Sequence, residues 1–100
     1  AYQAAVTFAD AQLGRILAEL TRLKLDSTTI VALVGDHGFK IGEHSGFAKK
    51  TNFLTDAGAF AVVYAPEEAA RAGAGGAGAA SDAMVELLDV APTLAALAGI

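Results

Sequence analysis

The sequence contains one stretch that governs its interpretation, Thr29-Ile-Val-Ala-Leu-Val-Gly-Asp-His-Gly38. Its five consecutive apolar residues, Ile30 to Val34, are typical of a strand buried on both faces of a parallel sheet that helices cover. Such sheets bind ligands at the carboxyl ends of their strands, so Asp36 and His37 lie where we expect chemistry. A carboxylate and an imidazole can ligate one cation, and the flanking glycines let the backbone turn sharply beside it.

The Asp36-His37 pair allows two interpretations. In one, Asp36 caps the following turn and His37 makes a hydrogen bond in a polar crevice. In the other, both residues ligate a metal ion. Calcium takes about six to eight oxygen ligands and zinc usually about four ligands, so the remaining ligands would come from another part of the protein.

Composition limits the class of protein. The 100 residues suffice for one small domain with a modest core, and 54% hydrophobic residues favour a folded chain. A net charge of -4 predicts no nucleic-acid partner, and no apolar run approaches the roughly 18 residues of a membrane span. The absence of cysteine excludes a disulfide or a thiolate nucleophile within these residues. The chain begins Ala-Tyr-Gln, with no initiator methionine or signal segment, which favours an interior piece of a longer protein.

Helical and strand patterns alternate along the chain. Apolar side chains recur every three to four positions over residues 2–24, which predicts an amphipathic helix before the buried strand. A second strand is predicted over residues 59–65, ended by Pro66. The pattern further predicts a helix over residues 90–98, with Asp89 as N-cap and Gly99 at its end. This order indicates an α/β fold of packed layers.

The other segments are less regular. Residues 69–80 are all alanine or glycine except Arg71, and they predict a flexible loop without chemistry. Residues 82–88 fit a strand or a helix equally well. Residues 39–58 form a long polar loop after the first strand, a place where catalytic groups tend to lie.

Two parts of that polar loop carry candidate groups. Glu43 and His44 are either solvated residues or, in the case of His44, a contact to the substrate. Lys49 and Lys50 are either a solvated pair or a source of positive charge beside the cation site. An ammonium there could neutralise a sulfate or phosphate oxygen in the transition state.

Taken together, the sequence resembles the type I sulfatases of the alkaline phosphatase superfamily, in particular their iduronate-2-sulfatase-like branch. The resemblance covers nearly the whole chain apart from the alanine- and glycine-rich stretch. The residues that carry it are Tyr2, Val6, Phe8, Asp10, Gln12, Gly14 and Arg15 in the first helix, then Asp36-His37-Gly38, Gly42-Glu43-His44, Phe47-Ala48-Lys49, Asn52-Phe53 and Asp89-Val90-Ala91-Pro92-Thr93-Leu94.

The resemblance implies an alkaline-phosphatase-like α/β/α layered fold with a mainly parallel sheet, in which residues 1–100 form part of one catalytic domain. It implies that Asp36 and His37 complete a divalent cation site, usually calcium, and that the catalytic residue Lys49 binds the sulfate group. The nucleophile would be a formylglycine made from a Cys-x-Pro-Ser-Arg motif in the family's N-terminal half, outside these residues. The expected substrate is a sulfated small molecule or glycan, and a periplasmic or secreted location is favoured.

Two alternatives stay open. A phosphodiesterase or phosphonate monoester hydrolase of the same superfamily would use a similar Asp-His pair with manganese or zinc, and imidazole suits those cations better than calcium. A catalytically silent, truncated paralogue is the other. It is favoured by the missing nucleophile and by Gly58-Ala59-Phe60, which departs from the family pattern. The intact Asp36, His37 and Lys49 oppose it. Further departures, at Gly35, Ser45-Gly46 and Leu54, bear on the activity or the substrate preference of the parent enzyme.

Overall fold

The computed structural model describes residues 1–66, 78 and 80–100 of the chain. In chain order the helices are α1 (Tyr2–Arg22), α2 (Leu54–Ala57) and α3 (Val90–Ala98), and the strands are β1 (Val31–Val34), β2 (Lys40–Ile41), β3 (Phe47–Ala48) and β4 (Ala61–Tyr64). Two single turns of 3₁₀ helix lie at Glu43–Ser45 and Leu87–Asp89. The predicted first helix, first strand, second strand and last helix are all present; the first three have slightly shorter bounds than predicted, and the last has the predicted bounds.

Helix α1 ends in a Schellman motif. The Leu25 amide donates to the Leu20 carbonyl at 2.9 Å, and the Lys24 amide donates to the Thr21 carbonyl at 3.0 Å. Lys24 has a φ of 58°, the left-handed conformation that this motif requires at its turning residue. The chain thereby reverses direction and enters β1.

The two longer strands form an antiparallel pair, in which Val31 lies opposite Tyr64 and Leu33 lies opposite Val62. The short strands β2 and β3 form a second antiparallel pair. The expected mainly parallel sheet is therefore not found in the described ranges. The reason is that the chain between β1 and β4 folds back beside β1 instead of crossing the sheet in a helix, as parallel strands require.

Helices lie on both sides of the β1–β4 pair. Leu17 and Leu20 of α1 line a groove of about 430 Å³ together with Val31, Leu33 and Val62. On the other side, α3 residues line a groove with Ile30 and Ala32. Alternate residues of a strand point to opposite faces, so residues of α1 and residues of α3 line grooves on opposite faces of the strand pair.

The expected burial of β1 on both faces is not observed. Within the described part of the chain, no hydrophobic side chain is fully buried, and Leu33, Val62 and Val63 are exposed. Two strands flanked by helices that stand off across grooves cannot enclose a core. The described helices include none that is both long and apolar enough to cross a membrane.

The C-terminal region begins α3 as predicted but caps it differently. Asp89 occupies the N-cap position without a side-chain bond to α3, and its Oδ2 accepts a hydrogen bond from the Glu86 amide at 2.8 Å. That bond stabilises the preceding 3₁₀ turn. Gly99 has a φ of 76° at the end of α3, the conformation that favours glycine at a helix terminus. The predicted flexible loop 69–80 lies outside the described residues except at positions 78 and 80.

Candidate active site

The turn that follows β1 is held by two backbone hydrogen bonds. The Gly35 amide donates to the Phe60 carbonyl at 2.9 Å, and the Gly38 amide donates to the Asp56 carbonyl at 2.8 Å. A Cβ built on Gly38 would stand 2.1 Å from the Thr55 carbonyl oxygen, so this position requires glycine. The two residues between these anchors are thereby presented at the end of the strand pair.

Those two residues bring donor atoms close together. Asp36 Oδ2 lies 3.2 Å from His37 Nε2, and the Asp36 side chain is 85% exposed while that of His37 is 33% exposed. His37 Nδ1 lies 2.8 Å from the Gly38 carbonyl oxygen. Because a carbonyl only accepts, Nδ1 carries a proton, and in that tautomer of the ring Nε2 holds the lone pair. An anionic oxygen and a nitrogen lone pair thus face one region.

Lys49 reaches the same region from the segment after β3. Its Nζ makes a hydrogen bond to His37 Nε2, in which the ammonium donates to the lone pair of the ring. The structure therefore brings together three of the four side chains that the sequence predicted for the site. Their chemical roles stay predictions.

The backbone around Lys49 is strained. Ala48 has a φ of 75° and Lys50 a φ of 94°, in the region that side-chain-bearing residues rarely adopt. Each such residue costs about 1–2 kcal/mol, and this kind of strain concentrates at functional sites. The conformation turns the segment twice and is consistent with a functional role for the lysine between these two residues.

His44 is held apart from the other three predicted residues. Its ring stacks on the ring of Phe53, with centroids 3.9 Å apart and planes 9° from parallel. In the described part of the chain, no hydrogen bond or ion pair joins it to the Asp36–His37 turn. Its neighbour Glu43 accepts a hydrogen bond from the Ile41 amide at 2.7 Å, and that bond lowers the pKa of the Glu43 carboxyl. Glu43 thus stabilises the loop.

Sequence reasoning missed a buried ion pair next to this site. Lys40 is 5% exposed and Asp56 is 3% exposed, with Lys40 Nζ 3.5 Å from Asp56 Oδ2. Burial raises the pKa of Asp56, but hydrogen bonds from Thr51 and the nearby Lys40 ammonium outweigh it, and the pKa lies below its usual 3.8. A charged residue in a polar loop carries no sequence signal of burial, and the partners are far apart in the chain.

The donor set can be compared with the needs of a cation. Among the residues that the structure describes, no group of three or more histidine, cysteine or acidic residues converges on one point. Asp36 and His37 supply one carboxylate and one ring nitrogen, which suits part of a divalent cation site. The set therefore fits the expectation that these two residues complete a site whose other ligands lie elsewhere.

Comparison with known proteins identifies the class. The profile of the Sulfatase family matches residues 1–100. The chain therefore belongs to the sulfatase family, as its resemblance predicted, and the iduronate-2-sulfatase-like character is supported by the individual relatives.

Mouse iduronate 2-sulfatase is 34% identical over 117 residues, which cover 99% of this chain and 21% of the relative. A sulfatase of Formosa agariphila is 36% identical over 103 residues, covering 100% of this chain and 18% of the relative. An arylsulfatase of Clostridium perfringens is 33% identical over 94 residues, covering 94% of this chain and 19% of the relative. The chain thus spans about a fifth of the length of the curated relatives it matches. No solved structure matches it significantly.

Proposed function

We propose that the protein carrying this chain hydrolyses sulfate esters, and that residues 36–49 contribute part of its active site. The observation that carries the proposal is the convergence of Asp36, His37 and Lys49 at the end of β1 in a member of the sulfatase family. A carboxylate and an imidazole that could hold a cation, with an ammonium beside them, are groups that a cation-assisted hydrolysis of a sulfate monoester can use around its substrate.

In this proposal Asp36 and His37 hold a divalent cation, with Asp36 giving a carboxylate oxygen and His37 giving Nε2. The hydrogen bond from His37 Nδ1 to the Gly38 carbonyl supports this role, because it fixes the ring in the tautomer whose Nε2 lone pair would bind the cation in place of the Lys49 ammonium. A cation held there supplies positive charge to the sulfate oxygens. Calcium is the expected ion, with manganese or zinc as the alternatives.

Lys49 binds the sulfate group and donates a hydrogen bond to an oxygen on which negative charge develops. Its position beside His37 Nε2 supports this role, since a sulfate oxygen near the two proposed metal ligands, Asp36 and His37, would also lie within reach of the Lys49 ammonium. His44 contacts the rest of the substrate through the exposed edge of its ring. The formylglycine expected outside these residues supplies the nucleophile.

The closest competing proposal is phosphoryl transfer in the same superfamily. One observation favours it, because a nitrogen lone pair at His37 suits manganese or zinc better than calcium. The substrate preference of the protein separates the two proposals.

The test uses purified full-length protein and four esters: an aryl sulfate, a sulfated monosaccharide, an aryl phosphodiester and an aryl phosphonate monoester. Release of inorganic sulfate and of phosphorus-containing products is measured for each, before and after dialysis against a chelator. We expect sulfate release that the chelator removes and calcium restores. Preference for the phosphorus esters would overturn the proposal in favour of the phosphoryl-transfer alternative. Turnover of none of the four would favour the silent paralogue.

A further inference from the structure

The Lys40–Asp56 ion pair is connected to the candidate site, because the Asp56 carbonyl accepts a hydrogen bond from the Gly38 amide. These two are the charged residues that are buried in the described part of the chain. A Cβ built on Gly46 would stand 2.9 Å from Lys40 Nζ, so the loop before β3 closes directly over the ammonium. A buried ion pair adds little to the net stability of a protein, because both ions lose their hydration. We therefore ask which parts of the structure the Lys40–Asp56 pair holds in place.

The side chain of Asp56 holds the segment that carries Lys49. Asp56 Oδ2 accepts one hydrogen bond from the Thr51 amide at 2.9 Å and another from the Thr51 hydroxyl at 2.5 Å. Lys40 Nζ donates to the same hydroxyl oxygen at 3.4 Å. Thr51 stands two residues after Lys49, so these bonds fix the strained stretch from which the lysine extends.

The backbone of Asp56 holds the other half of the site. Its carbonyl accepts the hydrogen bond from the Gly38 amide, the residue that follows His37. The carbonyl of Gly38 in turn accepts a hydrogen bond from His37 Nδ1. The orientation of the His37 ring therefore depends on the hydrogen bond that holds Gly38 to Asp56. One residue, Asp56, therefore connects the turn that bears the proposed metal ligands to the segment that bears the proposed sulfate-binding lysine.

We propose that Asp56, neutralised by Lys40, is a positioning residue that sets the relative placement of His37 and Lys49 through Thr51 and Gly38. The inference rests on the proposed function for its catalytic consequence, but the placement itself can be measured without activity. The Asp56 carboxylate accepts two hydrogen bonds from Thr51, one from its amide and one from its hydroxyl, and the Asp56 carbonyl accepts one from the Gly38 amide. The bonds of the side chain can be altered by substitution.

The experiment compares Thr51→Val, Thr51→Ser and Asp56→Asn in the full-length protein. Thr51→Val keeps the shape of the side chain and removes the hydroxyl, whereas Thr51→Ser keeps the hydroxyl. Glu19→Gln is the matched control, because it breaks an exposed ion pair with Arg22 on α1 at 2.6 Å, away from the network. Unfolding by denaturant identifies any variant that fails to fold.

The first readout is the acetylation rate of Lys49 by acetic anhydride, measured by peptide mass spectrometry relative to Lys24 in the same sample. Loss of the hydroxyl should raise this ratio about two- to tenfold, the population change that corresponds to weakening one hydrogen bond. Thr51→Ser and the control should leave it unchanged. An unchanged ratio in Thr51→Val and in folded Asp56→Asn would overturn the proposal, whether or not the protein is a sulfatase.

The second readout is kinetic. Thr51→Val should lower kcat on an aryl sulfate by on the order of 10²-fold with a smaller change in KM, as expected for a displacement of about 1 Å. Combined with Lys49→Ala, it should cause little further loss, because its effect acts through that lysine. Independent, multiplying losses would overturn the proposal. A wild-type protein that turns over no sulfate ester would contradict the proposed function alone, and the acetylation ratio would still decide the positioning role.

Discussion

Replacing Gly38 with alanine tests how closely the turn after β1 approaches α2. The added Cβ would stand 2.1 Å from the Thr55 carbonyl oxygen and 2.9 Å from the Gly58 carbonyl oxygen. Both neighbours are backbone atoms, so neither can rotate away as a side chain would. Ordinary contact therefore requires the turn and α2 to separate by roughly 1 Å, since the repulsion at such short distances is steep.

The energetic consequence follows from that separation. Overpacking of this kind costs about 1–3 kcal/mol, and the backbone neighbours place Gly38→Ala at the upper end of the range. The separation also stretches the 2.8 Å hydrogen bond from the Gly38 amide to the Asp56 carbonyl. Because His37 directly precedes Gly38, the separation also displaces the His37 ring. We expect kcat/KM on a sulfate ester to fall by on the order of 10²-fold, the usual effect when a group in an active site is misplaced by about 1 Å.

The assay measures the free energy of unfolding by denaturant and kcat/KM in the same full-length preparations. Gly14→Ala is the matched control, because a Cβ at this exposed position of α1 meets nothing within 4 Å. In a helix interior, that substitution should stabilise the protein by up to about 1 kcal/mol and leave turnover unchanged. Wild-type stability together with wild-type turnover in Gly38→Ala would refute the close approach of the turn to α2.

Three further predictions concern the charged groups. Asp36→Ala should abolish turnover and reduce the calcium retained after gel filtration, because it removes the proposed charged ligand of the cation, whereas Asp26→Ala should do neither. Normal turnover in Asp36→Ala would contradict the proposed ligand role. Lys49→Ala should lower kcat by the equivalent of about 2–4 kcal/mol, which is the scale of one lost oxyanion contact. Lys50→Ala is the control. A kcat for Lys49→Ala that is unchanged and equal to that of Lys50→Ala would place Lys49 on the solvated surface. Because the pKa of Asp56 is lowered on folding, its contribution to the free energy of unfolding should be fully present above about pH 4 and lost as the pH falls through the folded pKa. Denaturant titrations between pH 2 and 6 measure this, and an identical acid dependence in Asp56→Asn would contradict it.

The elements of the fold were predictable where the sequence carries a period or an unbroken apolar run. The 3–4 spacing over residues 2–24 predicted α1, and the run Ile30 to Val34 predicted β1. The direction of β4 relative to β1 was not predictable. The alternation of side chains along a strand indicates which residues share a face, but it contains no information on whether the neighbouring strand runs parallel or antiparallel. The described strands pair antiparallel, and the mainly parallel sheet that was expected is not shown among them.

The residues of the candidate site were predictable from the sequence, but the backbone conformation and the hydrogen bonds that hold them in place were not. The position of Asp36 and His37 at the end of the apolar run singled them out, the resemblance to a family singled out Lys49, and the structure brings the three together. The left-handed conformation of Ala48 carries no compositional signal, because a glycine would ordinarily mark it. The hydrogen bonds from Thr51 to Asp56 depend on how the loop folds back, and short polar side chains fit many other loop conformations equally well.

The central claim is that the turn after β1 provides two ligands of a cation beside a sulfate-binding lysine. The most direct test is a crystal structure of the full-length protein soaked with calcium, with manganese as an anomalous scatterer in a parallel soak. We expect one ion in contact with both the Asp36 carboxylate and His37 Nε2, and Lys49 Nζ withdrawn from its hydrogen bond to that nitrogen. An ion bound elsewhere, with Lys49 still donating to His37 Nε2, would contradict the claim.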